Sequence, residues 1–226
     1  MKNTFILCLF IGILLSFDSC ICKNSQSSVV SDSSDTFLAP KLLNSERIKL
    51  KFGNYHIKVL KKNAELRVSN LYSIKEDTNI TRTFAVVHYP EIIDSAFLKE
   101  HKKIVAGGSI GSVFKQAQWK IKKESLFFGE LKPSSDYQYI FQLMGNIAPS
   151  KLAIYTYRFT LNKEGKSYQY ATISEVYHPD YLTLNQLKKI YQDADIFLDH
   201  TAVHQLLKDV ENEMKTNYTQ SKINDN

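Results

Sequence analysis

Cysteine is missing from most of this chain. All three, Cys8, Cys20 and Cys22, lie at or before residue 22 of 226. The body beyond them therefore has no disulfide staples, no thiol nucleophile and no thiolate metal site. Long apolar runs are also missing after the first fifteen residues, so no later segment is expected to cross a membrane. There is no internal repeat, and strands do not alternate with helices as parallel βαβ units require. No nucleic-acid-binding module can be recognised, so nucleic acid is not an expected partner. No cofactor motif is present, and no cofactor is expected.

What is present begins with the leader MKNTFILCLFIGILLSFDSCICKN. Lys2 and the amino terminus make a short positive region. Eleven apolar residues follow from Phe5 to Leu15, too few for a ~30 Å hydrocarbon core. Ser16 to Cys20 is more polar. This order is that of an export signal, whereas a buried N-terminal helix would carry polar positions along one face. The stretch Leu14-Leu15-Ser16-Phe17-Asp18-Ser19-Cys20 resembles the lipobox of bacterial lipoproteins. That resemblance implies lipidation of Cys20 as the first mature residue and a membrane anchor there. Ser19 suits its place, while Phe17 and Asp18 stand where leucine and a small residue are usual. The alternative is an ordinary secretory cut after Cys22.

Residues 1–19 thus read as a signal peptide, and 20–36, which include KNSQSSVVSDSSDT, as a serine-rich flexible tether. Residues 37–216 read as a single domain large enough for its own core. Residues 217–226 read as a frayed tail. The expected location is the periplasm or outer cell envelope, lipid-anchored or secreted.

Within the domain, IKLKFGNYHIKVL reads as a hairpin about Gly53-Asn54, with Ile48, Leu50 and Phe52 facing Val59, Ile57 and Tyr55. Strands are expected over 65–72, 80–89, 119–128, 137–144, 151–161 and 167–177. A four-residue loop at Asn162–Gly165 would pair Phe159 with Tyr168, Tyr157 with Tyr170 and Tyr155 with Thr172. Helices are expected over 94–106, over 109–117, from Thr183 with a capping box to Gln186, and from about Asp199. The fold class is α+β: an antiparallel sheet of about six to eight strands with helices packed on one face.

Charge is uneven. The net charge is +6, and residues 41–67 alone hold eight Lys or Arg against Glu46 and Glu65. Arg47, Lys49, Lys51, His56 and Lys58 form a candidate surface for an anionic envelope component or partner protein. The aromatics Tyr155, Tyr157, Phe159, Tyr168 and Tyr170 form a candidate ligand cleft. His200 and His204, one helical turn apart, are the alternative metal pair, although Thr201 replaces the glutamate a zinc protease needs.

Gly107-Gly108-Ser109-Ile110-Gly111 has the spacing of a hydrolase nucleophile elbow. An elbow is entered from a strand, and the residues before it are patterned as a helix, so Ser109 reads as a helix N-cap. The reading that follows is an exported, lipid-anchored, non-catalytic binding or structural module. The alternative is a small exported serine hydrolase using Ser109 with a histidine such as His178 beside Asp180.

Overall fold

Two three-stranded antiparallel meanders meet along their inner strands to make one six-stranded sheet. The computed structural model describes residues 36–145, 147, 150–191 and 198–224, with side chains to residue 216. The expected signal peptide, Cys20 and all of the tether but Thr36 lie outside the described residues. The first meander is β1 (His56–Lys62), β2 (Leu66–Lys75) and β3 (Thr78–His88). The second is β4 (Lys120–Leu131), β5 (Leu152–Lys163) and β6 (Lys166–Tyr177). The order is β1-β2-β3-β6-β5-β4, with every neighbouring pair antiparallel. The α+β class and the antiparallel sheet are as the sequence leads one to expect.

The edge strands β1 and β4 each carry a register shift, between Val59 and Lys61 and between Ser125 and Phe127. Both edges are rich in lysine, with Lys58, Lys61 and Lys62 on one and Lys120, Lys122 and Lys123 on the other.

Helices cover both faces of the sheet, where one face was expected. One face carries Leu71, Ala85, Val87, Tyr155, Tyr157 and Ile173. It packs under α1 (Asn44–Phe52), α2 (Leu98–Val105), α3 (Ile110–Gln116) and α5 (Leu184–Ile190), through residues such as Ile48, Ile104, Phe114 and Leu187. The other face carries Val68, Phe84, Val86, Ile154 and Val176 under α4 (Gln138–Leu143) and α6 (His200–Asn224). Val203, Leu207, Val210 and Met214 of α6 form one buried stripe. At about 1.5–3 kcal/mol for each buried apolar side chain, that stripe is enough to dock the helix. α6 continues to Asn224, past residue 216 where fraying was expected.

Three local expectations are corrected. Residues 44–52 form α1 and not a hairpin arm: Gly53 has φ 82° and donates its N–H to the Lys49 carbonyl, a left-handed helix C-cap. Such a cap and a tight hairpin turn both demand positive φ, so Gly-Asn suits either. Residues 135–143 form a 3₁₀ turn (Ser135–Tyr137) followed by α4, where a strand was expected. Glu211 of α6, fully buried, accepts the Tyr139 and Ile140 N–H groups and holds the start of α4. The β5–β6 loop has two residues, Glu164 and Gly165, both at positive φ, between paired Lys163 and Lys166. The register changes with the loop, so that Leu161 faces Tyr168, and a further shift between Phe159 and Thr160 sets Phe159 opposite Ala171, Tyr157 opposite Ile173 and Tyr155 opposite Glu175.

Candidate functional site: a cavity under α1 and α3

The glycine-rich stretch builds a wall of this site. After α2, Gly107 turns the chain at φ 115°, and the Gly107 and Gly108 N–H groups bond back to the Ile104 and Lys103 carbonyls at 3.0 Å. A Cβ on Gly108 would lie 2.9 Å from the Lys103 carbonyl oxygen, so glycine is required there by close approach. Ser109 then takes the extended N-cap conformation that opens α3. A Cβ on Gly111 would fall 2.8 Å from Leu43 Cδ2, so α3 sits hard against the start of α1. That start is fixed by Glu46, whose carboxylate reaches back to accept the Leu43 N–H at 3.0 Å.

Between these two helix starts and the sheet lies a partly open cavity of about 60 Å³. Ser109, Ile110 and Gly111 line one side and Leu43, Asn44 and Ser45 another; Tyr55 and residues of β1, β2, β3, β4, β5 and β6 complete it. The volume corresponds to about four to six water-sized spheres.

Its charged groups are Arg67, Lys123 and Glu175. Glu175 is buried and well supplied with donors: Asn44 Nδ2 at 2.8 Å and the Tyr177 hydroxyl. Tyr181 in turn donates to Asn44 Oδ1 at 2.6 Å. Lys123 Nζ stands 3.9 Å from the Glu175 carboxylate and 4.3 Å from the Tyr157 ring centre, and it balances that carboxylate. Burial, with the Glu175 charge adding to it, holds the Tyr157 and Tyr177 hydroxyls well above their ordinary pKa, so both remain protonated.

Arg67 has no such balance. It is 1 % exposed. Nε donates to Ser69 Oγ at 3.0 Å, and Nη1 to the Ile104 and Gly108 carbonyls at 3.2 and 2.9 Å. Nη2 has no partner, and no carboxylate among the described residues forms an ion pair with the guanidinium. An ion removed from water and left unpaired costs several kcal/mol. Two buried hydroxyls near it, of Tyr55 and Tyr89, make no hydrogen bond within 3.5 Å, although Tyr55 lies beside Ser109, and Tyr89 beside Tyr170 and Arg67. Burial raises the pKa of both phenols; Ser109 and the Arg67 charge offset part of the rise at Tyr55, and Arg67 and Tyr170 at Tyr89.

No protein-family model matches the chain, and no curated protein is similar to it. The chemistry therefore rests on the geometry alone.

The hydrolase set is not assembled. Ser109 is entered from α2, its hydroxyl accepts from Ser112 Oγ at 3.3 Å, and no histidine lines its cavity. His178 and Asp180 lie along a different depression, beside Phe52 and Arg82. There the Asp180 N–H donates to His178 Nδ1 at 3.1 Å.

The basic surface is dispersed. Arg47 is 1 % exposed and donates to the Phe37 and Ala39 carbonyls at 2.7 and 3.0 Å, so it is a core residue. Lys51 bonds the Asp180 and Tyr181 carbonyls from α1, and Lys49 is exposed on the same helix. His56 stacks on Tyr72, and Lys58 follows it on β1.

Of the aromatic set, Tyr157 and Phe159 line the cavity. Tyr155 is stacked among Phe128, Tyr157 and Tyr191, and Tyr170 packs on Phe97 and Phe114; both are core. Tyr168 packs half-buried on Trp119. The His200 and His204 rings stack at 4.0 Å, with His204 Nδ1 bonded to the Tyr137 hydroxyl, an arrangement that does not aim two lone pairs at one point. Among the described residues no group of three or more His, Cys, Asp or Glu is placed to hold a metal.

Arg67, Glu175, Lys123, Asn44 and Tyr55 are cavity residues that the sequence does not single out. A usable signal exists for two of them. Arg67 in Leu66-Arg67-Val68 and Glu175 in Ser174-Glu175-Val176 are charges set inside apolar strands, where a charge is costly without a partner or a task.

Proposed function

We propose that this chain is an exported, lipid-tethered protein of the cell envelope that binds a small ligand in the cavity under α1 and α3, as a binding module and not an enzyme. The observation that carries the reading is a partly open cavity whose walls hold several polar side chains, walled by two abutting helix starts. Pre-formed concave sites with a few convergent polar groups are where small molecules bind. No histidine lines that cavity beside Ser109, and its Glu175 and Lys123 are engaged with each other, with Asn44 and with Tyr177, which favours binding over turnover. The leader and its resemblance to a lipobox support the location.

Two measurements test this. Mass spectrometry of the mature amino terminus from native cells should find a lipidated Cys20; an intact Met1 sinks export, and an unmodified Lys23 start sinks lipidation alone. For the cavity, a chemically diverse fragment collection should contain members that shift the Ser69, Ser109 and Gly111 amide resonances. Those shifts should be lost in Ala85→Leu, which fills the cavity floor. A collection that moves none of these amides removes the binding reading.

A further inference from the structure

We infer that the cavity takes a small anionic group, a carboxylate or a phosphate, and that Arg67 is its principal ligand. This rests on the reading of the cavity as a binding site and names the class of group it accepts. Charge is the first argument. Glu175 and Lys123 offset each other at 3.9 Å, which leaves the Arg67 guanidinium as one positive charge in surplus. The α2 carbonyl that Arg67 contacts belongs to a helix C-terminus, whose dipole amounts to about half a negative charge. That offsets the guanidinium in part and leaves Nη2 with no acceptor within 3.5 Å, the Tyr89 hydroxyl lying nearby.

The second argument is the supply of donors against acceptors. Tyr55 has a buried hydroxyl that lies beside Ser109 but makes no hydrogen bond within 3.5 Å, and Ser69, which accepts from Arg67 Nε, keeps its own proton to donate. The Glu175 oxygens are already engaged by Asn44 and Tyr177. A cation would meet the surplus of like charge, and a neutral polyol would leave that surplus where it is. An anion supplies the missing acceptors and the missing charge together, and guanidinium matches carboxylate and phosphate in shape. Size is the third argument. Room for about four to six water-sized spheres fits a head group of four or five heavy atoms.

The experiment titrates full-length protein with sodium acetate, sodium phosphate and, as the neutral isostere, acetamide, at ionic strength held constant with sodium chloride. The Ser69, Ser109 and Gly111 amides should shift saturably with acetate, with phosphate or with both. A response to acetate alone identifies a carboxylate site, and to phosphate alone a phosphate-ester site. Arg67→Met should weaken that response by at least about tenfold, the loss expected for a hydrogen bond to a charged group. If Arg67→Met does not fold, the acetate-to-acetamide comparison on the natural sequence, with the Arg67 Nε resonance followed directly, decides the matter. Acetamide acting as strongly as acetate overturns the anion assignment and leaves the cavity reading standing. Silence from all three probes, while neutral fragments still bind, does the same. Silence from probes and fragments alike overturns both.

Discussion

At Ser109 the backbone takes the extended conformation of an N-cap, φ −71° and ψ 125°, yet no N–H of the next turn reaches its hydroxyl. Asp94, in contrast, accepts the Ala96 N–H at 2.8 Å and fixes the turn that leads into α2. The expected outcome is therefore that Ser109→Ala changes stability by no more than about 0.5 kcal/mol, while Asp94→Ala costs about 1 kcal/mol. Urea unfolding of the two variants checks this, and a larger loss at Ser109 would refute it. The place of Ser109 at the head of a helix is legible in the sequence, because glycines before it end one helix and a new apolar stripe begins after it. Its rotamer is not, since that is set by Ser112 one turn on. Arg67 is legible only in part: a charge inside an apolar strand marks it, but its worth depends on what it lacks, and a missing partner is a property of the folded neighbourhood.

For whole elements, the sharpest discriminator is α1. Ile48, Leu50 and Phe52 alternate as a strand would, but the buried face of the helix is Asn44, Ser45, Arg47 and Ile48, and Leu50 is 53 % exposed. Leu50→Lys is expected to leave stability within about 0.5 kcal/mol, as a surface change. Ile48→Ala, which empties a fully buried site, is expected to cost about 2–5 kcal/mol. Chemical denaturation of both variants tests the pair, and a hairpin would make Leu50→Lys as damaging as Ile48→Ala. All six strands and both helix blocks are legible from turn residues and apolar runs, β1 as the second arm of the expected hairpin, and Phe84-Ala85-Val86-Val87 and Leu152-Ala153-Ile154-Tyr155 are buried on both sides. That double burial also hides the second layer: a strand covered on both faces loses the alternation that would tell one face from the other. α1 and α4 resemble strands because short aromatic or alternating segments satisfy both periods, and packing decides between them.

Over the whole molecule, four histidines share one bias. Burial pushes His88, His101, His178 and His204 below their ordinary value of 6.5. At His178 the Arg82 and Lys51 charges add to that, with Asp180 opposing, and at His204 the His200 and Lys208 charges add to it. The fold thus prefers the neutral imidazole, while the unfolded chain takes up protons as pH falls past about 6.5. Their contribution is complete above that value and is lost as pH falls through the depressed folded-state values. Thermal midpoints should be level from about pH 8 to 7 and decline from about pH 6.5 downward; a level profile to pH 5 would contradict the assignment. The two sheet edges carry a different consequence. At high local concentration an open sheet edge invites strand to add to strand. Each rim of this sheet is kinked by a register shift and set with lysines, so neither offers the flat, neutral template that such growth requires. Copies of this domain brought to high concentration are thereby left as separate bodies instead of joining edge to edge.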